Sequence, residues 1–287
     1  MRIKPKYRVL LVVLALCVLA SGVGVVVYHG EWWYPLVWRM RHDAAPALSE
    51  TALSGETVHL TLDELLARED VTFSYSLLLV NASHPLPEGY VPELIEYNGA
   101  KMHPLMQEPY IALRDDVQAK TGVRIYVASD YRTPEEQADL LASSDAGIAA
   151  GVGCSEHEAG LALDVYAPYF GGKSFLRSRA GREVNDTCGK YGFIIRYPSG
   201  KEDITGIAYE PWHIRYVGAP HASVIMDSGL TLEEYISLYT PNVWYTSGEY
   251  LISRRSADAL DLPAGWLTCN VSPDNTGYWF VTVKTGG

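Results

Sequence analysis

His157, Asp164, Glu210 and His213 are the side chains in this 287-residue sequence whose types and order suit hydrolytic metal chemistry. They lie in two short stretches, Ser-Glu-His-Glu-Ala-Gly-Leu-Ala-Leu-Asp at Ser155–Asp164 and Glu-Pro-Trp-His at Glu210–His213. Two imidazoles and a carboxylate make a three-ligand set, and a catalytic zinc site keeps a fourth position open for water. Glu210, three residues from His213, is the spare carboxylate that would take the water proton. Taken singly, each residue has a plainer reading. A histidine is usually solvated or hydrogen-bonded, Asp164 could be a strand-end acid paired with an arginine, and Glu210 could lie on the surface. The sequence has no helical His-Glu-x-x-His pattern to decide the matter. Cys154 is a fourth ligand only on paper, because a small buried residue or half of a disulfide explains it as well. His59, His84, His103 and His221 have no partner pattern.

These residues need a scaffold, and the flanking pattern supplies one. In Gly160–Tyr166, Leu161, Leu163 and Val165 alternate with Ala162, Asp164 and Tyr166, which predicts a strand carrying Asp164 on its less apolar face. Val123–Ala128 reads as a second strand, and Phe193–Tyr197 and His213–Val217 as two more, antiparallel. In the last of these, Trp212 and Ile214 point away from His213 toward the core. Arg196 and Arg215 are placed to buttress the ligands or the base. Helical periodicity runs over Glu108–Lys120 and stops at Gly122. Thr133-Pro-Glu-Glu opens another helix with a capping box, so Ser129–Arg132 falls in a strand-to-helix turn, where function often sits. Thr61 and Thr231 begin two further capping boxes. Beyond Pro241 the pattern changes to short strands at Tyr250–Arg254, Trp266–Cys269 and Tyr278–Val283, with a turn at Pro273–Gly277.

The first 28 residues differ in kind. Val9–Tyr28 is a 20-residue uncharged run preceded by Arg2, Lys4, Lys6 and Arg8. Its length matches a bilayer core, and the basic flank places the N-terminus in the cytoplasm and residues 29–287 outside. Trp32, Trp33 and Tyr34 suit an interfacial aromatic belt. A cleaved signal peptide would be shorter, so an uncleaved single-pass anchor in the cell membrane is expected. Without the four basic residues of the anchor, 19 Lys+Arg face 34 Asp+Glu. A domain this acidic is a poor partner for nucleic acid. The expected organisation is a cytoplasmic tip and transmembrane anchor over 1–28, an extracellular tether over 29–75, a catalytic domain over 76–240 and a small β appendage over 241–287. The fold class is α+β: a small antiparallel sheet flanked by helices, with the site over the sheet.

Taken in order, Ser155-x-His157-x-x-Gly160-x-Ala162-x-Asp164 and Glu210-x-Trp212-His213 resemble the VanY-type D-alanyl-D-alanine carboxypeptidases, zinc peptidases of the bacterial cell wall. Ser129-Asp-Tyr-Arg132-Thr-x-x-x-Gln137 is similar to that family's substrate-binding turn. Leu79–Leu86, Tyr191–Pro198 and Ile204–Gly218 follow its wording, so the likeness covers about residues 76–240. Where the family commonly has Pro-Gly-x before the serine, this chain has Val152-Gly-Cys154. The resemblance implies one Zn2+ on His157, Asp164 and His213, with Glu210 activating the water. It implies Arg132 against the scissile carbonyl or the substrate's terminal carboxylate, helped by Gln137 and Ser155. The implied substrate is a peptidoglycan stem peptide ending in D-Ala-D-Ala, whose trimming can lower sensitivity to vancomycin-type drugs. L,D-carboxypeptidases and endopeptidases share the metal set and stay open as alternatives, as does a catalytically idle wall-binding module. A bridge from Cys154 to Cys188 or Cys269 is a further expectation. Nothing in the sequence indicates an oligomeric state.

Overall fold

The computed structural model describes residue 24 and residues 28–143, 150–256 and 260–286. The predicted anchor, Val9–Tyr28, lies almost wholly outside the described residues, and none of the described helices is long and apolar enough to cross a membrane.

Four antiparallel strands carry the two motifs. Their order across the sheet is Tyr126–Ser129, Ala162–Tyr166, His213–Tyr216 and Phe193–Ile195. Asp164 stands directly opposite His213 on one side and Ser129 on the other. The pairing with the first strand slips between Val127 and Ser129, a bulge of the kind that re-aims side chains beside active sites. Leu163, Val165, Ile195 and Ile214 turn to the main core, as the alternation predicts. The long helix Gln107–Thr121 packs on that core through Tyr110, Leu113 and Val117, and ends at Gly122 with φ 75°. The helix Pro134–Ser143 starts at the expected capping box, in which Thr133 and Glu136 bond reciprocally.

Two expectations need correction. The C-terminal part is not a small appendage, and residues 29–75 are not a bare tether. Ser49–Thr51 and Val71–Phe73 form the two edges of a six-stranded sheet, with Trp244–Ser247, Tyr250–Arg255, Trp279–Lys284 and Thr268–Pro273 between them. Thr57–Leu60 pairs with Leu260–Pro263. Leu62, Leu65, Trp244, Leu262, Val271 and Val283 form a second core there. The N-terminal strands are three or four residues long and half exposed. Their own sequence carries little pattern, and distant partners supply their pairing. The molecule is therefore α+β with several sheets rather than one. The disulfide expectation fails as well: Cys154, Cys188 and Cys269 are free thiols, Cys188 lying in the main core and Cys269 in the second.

Candidate metal centre

His157 sits in a tight turn, Glu156–Gly160, whose shape depends on Gly160. Gly160 has φ 69°, and a Cβ there would lie 2.9 Å from Leu94. The His157 Nδ1 is 2.7 Å from the carbonyl oxygen of Asp130, which fixes the ring and leaves Nε2 facing inward. That Nε2 is 3.5 Å from Asp164 Oδ1, and the same oxygen is 3.1 Å from His213 Nδ1. One ligand atom from each of the three residues lies within 4.8 Å of the others. A tetrahedron with bonds of ~2.1 Å has edges of roughly 3.4 Å, so this spacing suits zinc.

The electrostatics point the same way. Asp164 Oδ1 is buried without a hydrogen-bond partner. Burial alone would raise the Asp164 pKa, but the two imidazoles hold the carboxyl well below its usual range. Burial would also depress His213, yet Asp164, Glu156 and Glu210 together lift it to about 9. Three carboxylates around one buried imidazole demand positive charge. A proton meets that demand in the metal-free protein, and a divalent cation on Nδ1 would replace it.

Glu210 Oε2 lies 3.7 Å from His213 Nδ1. Burial lifts the Glu210 carboxyl to about 7, which suits a general base. Its backbone is pinned by a bond from its N–H to the Tyr197 carbonyl. Arg132 comes from the turn after the first strand, and its backbone N–H donates to the His157 carbonyl. The two nearby acids, Asp130 and Glu136, do not hold it. Asp130 accepts from the Lys101 N–H, and Glu136 caps its own helix. Arg132 donates instead to Ser129 Oγ at 3.0 Å and Gln137 Oε1 at 2.6 Å, both neutral. Gln137 is buried, and its amide nitrogen donates to the Ala150 carbonyl at 2.7 Å. Both ends of that amide are engaged, so Gln137 steadies the Arg132 guanidinium. Ser155 is buried in the turn ahead of His157.

Sequence reasoning missed Glu156. This glutamate is fully buried and accepts from Arg196 Nε at 2.7 Å and Arg215 Nη1 at 2.8 Å. Its other oxygen faces His213 Nε2 at 3.5 Å. Arg196 also forms a two-pronged pair with Glu233, at 2.9 and 2.6 Å. The two arginines thus reach the metal ligand through Glu156, not through the base. Burial would raise the Glu156 pKa, but Arg215 and Arg196 keep it ionised. A signal was present: Arg215 lies two residues from His213 on one strand and so shares its face. The acid that face required could not be read from spacing.

A family model described as VanY, D-alanyl-D-alanine carboxypeptidase, matches residues 99–219. The D-alanyl-D-alanine carboxypeptidase of Enterococcus faecium is 34% identical over 183 residues, covering 58% of this chain and 59% of its own length. The bifunctional D-Ala-D-Ala dipeptidase and D-Ala-D-Ala carboxypeptidase VanXYC of Enterococcus gallinarum is 37% identical over 181 residues. That match covers 56% of this chain and 93% of the relative. Among solved structures, a mutant of the vancomycin resistance D,D-pentapeptidase VanY in complex with Zn(II) is 34% identical. It superposes with a TM-score of 0.51 over 57% of this chain and 99% of that one. The LdcB LD-carboxypeptidase is 34% identical with a TM-score of 0.52, over 56% and 86%. The matched stretch holds every residue of the site, and the chain belongs to the VanY family of D-alanyl-D-alanine carboxypeptidases.

Proposed function

We propose that this chain is a membrane-anchored zinc D,D-carboxypeptidase that removes the terminal D-Ala from peptidoglycan stem peptides. One observation carries the reading: three ligand atoms converge beside a carboxyl that burial lifts to about 7, with an arginine nearby that, among the described residues, is held by neutral partners. Held by His157, Asp164 and His213, a zinc ion supplies Lewis acidity and a water acidic enough to ionise near neutral pH. Glu210 takes a proton from the attacking water as the new C–O bond forms. It returns the proton to the amide nitrogen of the departing D-Ala as the C–N bond breaks. Arg132, steadied by Gln137 and Ser129, offers a guanidinium fork to the substrate's terminal carboxylate or to the oxyanion. Ser155 helps hold that terminus. The uncharged run Val9–Tyr28 and its basic flank support a single-pass anchor with the catalytic body outside, where wall peptides are.

The LdcB LD-carboxypeptidase, as similar to this chain as the VanY structure is, favours a second reading in which the bond cut is the L,D bond of a tetrapeptide. The test is product mass from a pentapeptide and a tetrapeptide, with and without added zinc. D,D activity releases D-Ala from the pentapeptide alone. Chelation is expected to abolish release, and Glu210→Ala to reduce it by about 10²- to 10⁴-fold. Full activity in Glu210→Ala refutes the assigned base.

A further inference from the structure

The helix Gly30–Arg41 shows two apolar faces. Gly30, Tyr34 and Trp38 are buried. Tyr34 Oη lies 2.9 Å from the Arg182 carbonyl and 2.8 Å from Asp186, and Trp38 Nε1 donates to the Asn185 carbonyl at 2.9 Å. Four other large side chains, also spaced by four, face solvent: Tyr28 (54% exposed), Trp32 (65%), Leu36 (64%) and Met40 (76%). At 3.6 residues per turn they form a slanting band along the outer side of the helix. Arg39 is exposed at its far end, whereas Arg41 turns to the catalytic body and pairs with Asp186 at 3.5 Å.

What covers the band follows from where the helix begins. It starts two residues after the end of Val9–Tyr28, the uncharged run long enough to span a bilayer. A helix joined so closely to such a run cannot leave the interface. Its outward residue types are those that partition there: a tryptophan and a tyrosine at the near end, a leucine and a methionine beyond, and one basic group, Arg39, for a lipid phosphate. We propose that the Gly30–Arg41 helix lies along the outer surface of the membrane, with Tyr28, Trp32, Leu36 and Met40 sunk into the interfacial layer. The proposal rests on the anchor reading given above. Its inner face is tied to the catalytic body. Asn185, which accepts from Trp38, donates to the carbonyl of Pro211, the neighbour of Glu210. A helix laid on the bilayer therefore fixes how the site faces the membrane.

The test uses the full chain in phosphatidylcholine–phosphatidylglycerol vesicles whose acyl chains carry bromine near the headgroup. The protein should float with the vesicles, and Trp32→Phe should cut the lipid-quenched share of tryptophan emission by half or more. Trp266→Phe, packed against the second core, should leave that share unchanged. Leu36→Glu with Met40→Glu should still float by the anchor but lose Trp32 quenching several-fold. A floating protein whose quenching is the same with and without Trp32, or with and without the double substitution, overturns the proposal while the anchor stands. A dimer that only the double substitution dissolves gives the face to a second copy and also overturns it. A chain that stays out of the floating fraction overturns both. None of these readouts depends on peptidase activity.

Discussion

The sheet under the metal ligands and the six-stranded sheet behind it bury polar groups to different ends. In the first, Asp164 Oδ1, His213 Nε2 and Glu156 Oε2 are buried without a full hydrogen-bond partner, and all three meet at the candidate site. In the second, the buried acid Asp274 is fully engaged. It accepts from Arg254 Nε at 2.6 Å and from the N–H groups of Thr276 and Tyr278. Ser253 donates to the Val243 carbonyl, and His221 sits between Tyr235 Oη at 2.7 Å and Thr282 Oγ1 at 3.0 Å. Apart from two donors, Arg255 Nε and Trp266 Nε1, the buried polar groups that fasten elements together there are saturated, whereas the orphans at the candidate site are carboxylate and imidazole atoms able to face a cation. The two regions also touch. The second sheet holds residues 74–79 through Val271, Ser272 and Asp274, and Arg215 donates to the carbonyls of Ser76 and Leu78. From Arg215 the contacts run through Glu156 to His213.

Breaking the unsaturated side has the largest expected effect. Glu156→Ala leaves Arg196 and Arg215 facing each other across a buried gap and should cost about 3–5 kcal/mol, read by denaturant unfolding. Glu156→Gln keeps the shape but weakens the hold on His213 Nε2–H, and zinc affinity should fall about 10- to 100-fold in a competition titration. Unchanged affinity in the glutamine variant would mean that His213 is oriented by its own packing.

The saturated side should answer to acid. Burial pushes the His221 imidazole from 6.5 down to about 3. Below pH 6.5 the unfolded chain takes up a proton that the folded chain refuses, so this contribution to stability is full above 6.5 and is lost as pH falls toward 3. Between pH 7 and pH 5 the loss is about 2 kcal/mol. His221→Gln should flatten that part of the urea-midpoint profile; equal slopes in both proteins would remove His221 from the account. The smallest effect is expected at the contact between the regions. Asn275, with φ 63°, donates to the carbonyls of Leu79 and Pro85 at 2.9 and 2.8 Å. Asn275→Ala should cost about 1–2 kcal/mol while leaving zinc affinity unchanged. A parallel drop in affinity would show that the second sheet tunes the ligands as well as supporting them.

These contrasts also separate what the sequence disclosed from what it hid. His157, Asp164 and His213 were legible as a ligand set from their types, their order and the family resemblance, and the turn that carries Arg132 from the capping box that follows it. Glu156 was hidden because its reason for burial lies 40 and 59 residues away, at Arg196 and Arg215. Gln137 came as a substrate contact only through the family resemblance, and spacing could not show that its amide bonds to Arg132 and the Ala150 carbonyl. The second sheet was half seen. Its hairpins announce themselves locally, but Ser49–Thr51 and Val71–Phe73 become strands only against Trp244–Ser247 and Thr268–Pro273.

That last pairing dictates an order of assembly. Both edges of the six-stranded sheet are made early in synthesis, and the strand Trp279–Lys284, bonded on both sides, is made almost last. The catalytic strands, complete by Tyr216, can find one another while the segment behind them still waits for its partners. Closing a loop of some two hundred residues is slow compared with pairing neighbours. Until it closes, Leu62 and Leu65 have no core to enter and the support behind Arg215 is missing. A chain cut short between Pro241 and Trp279 would therefore carry every residue of the site and still lack the structure that holds it.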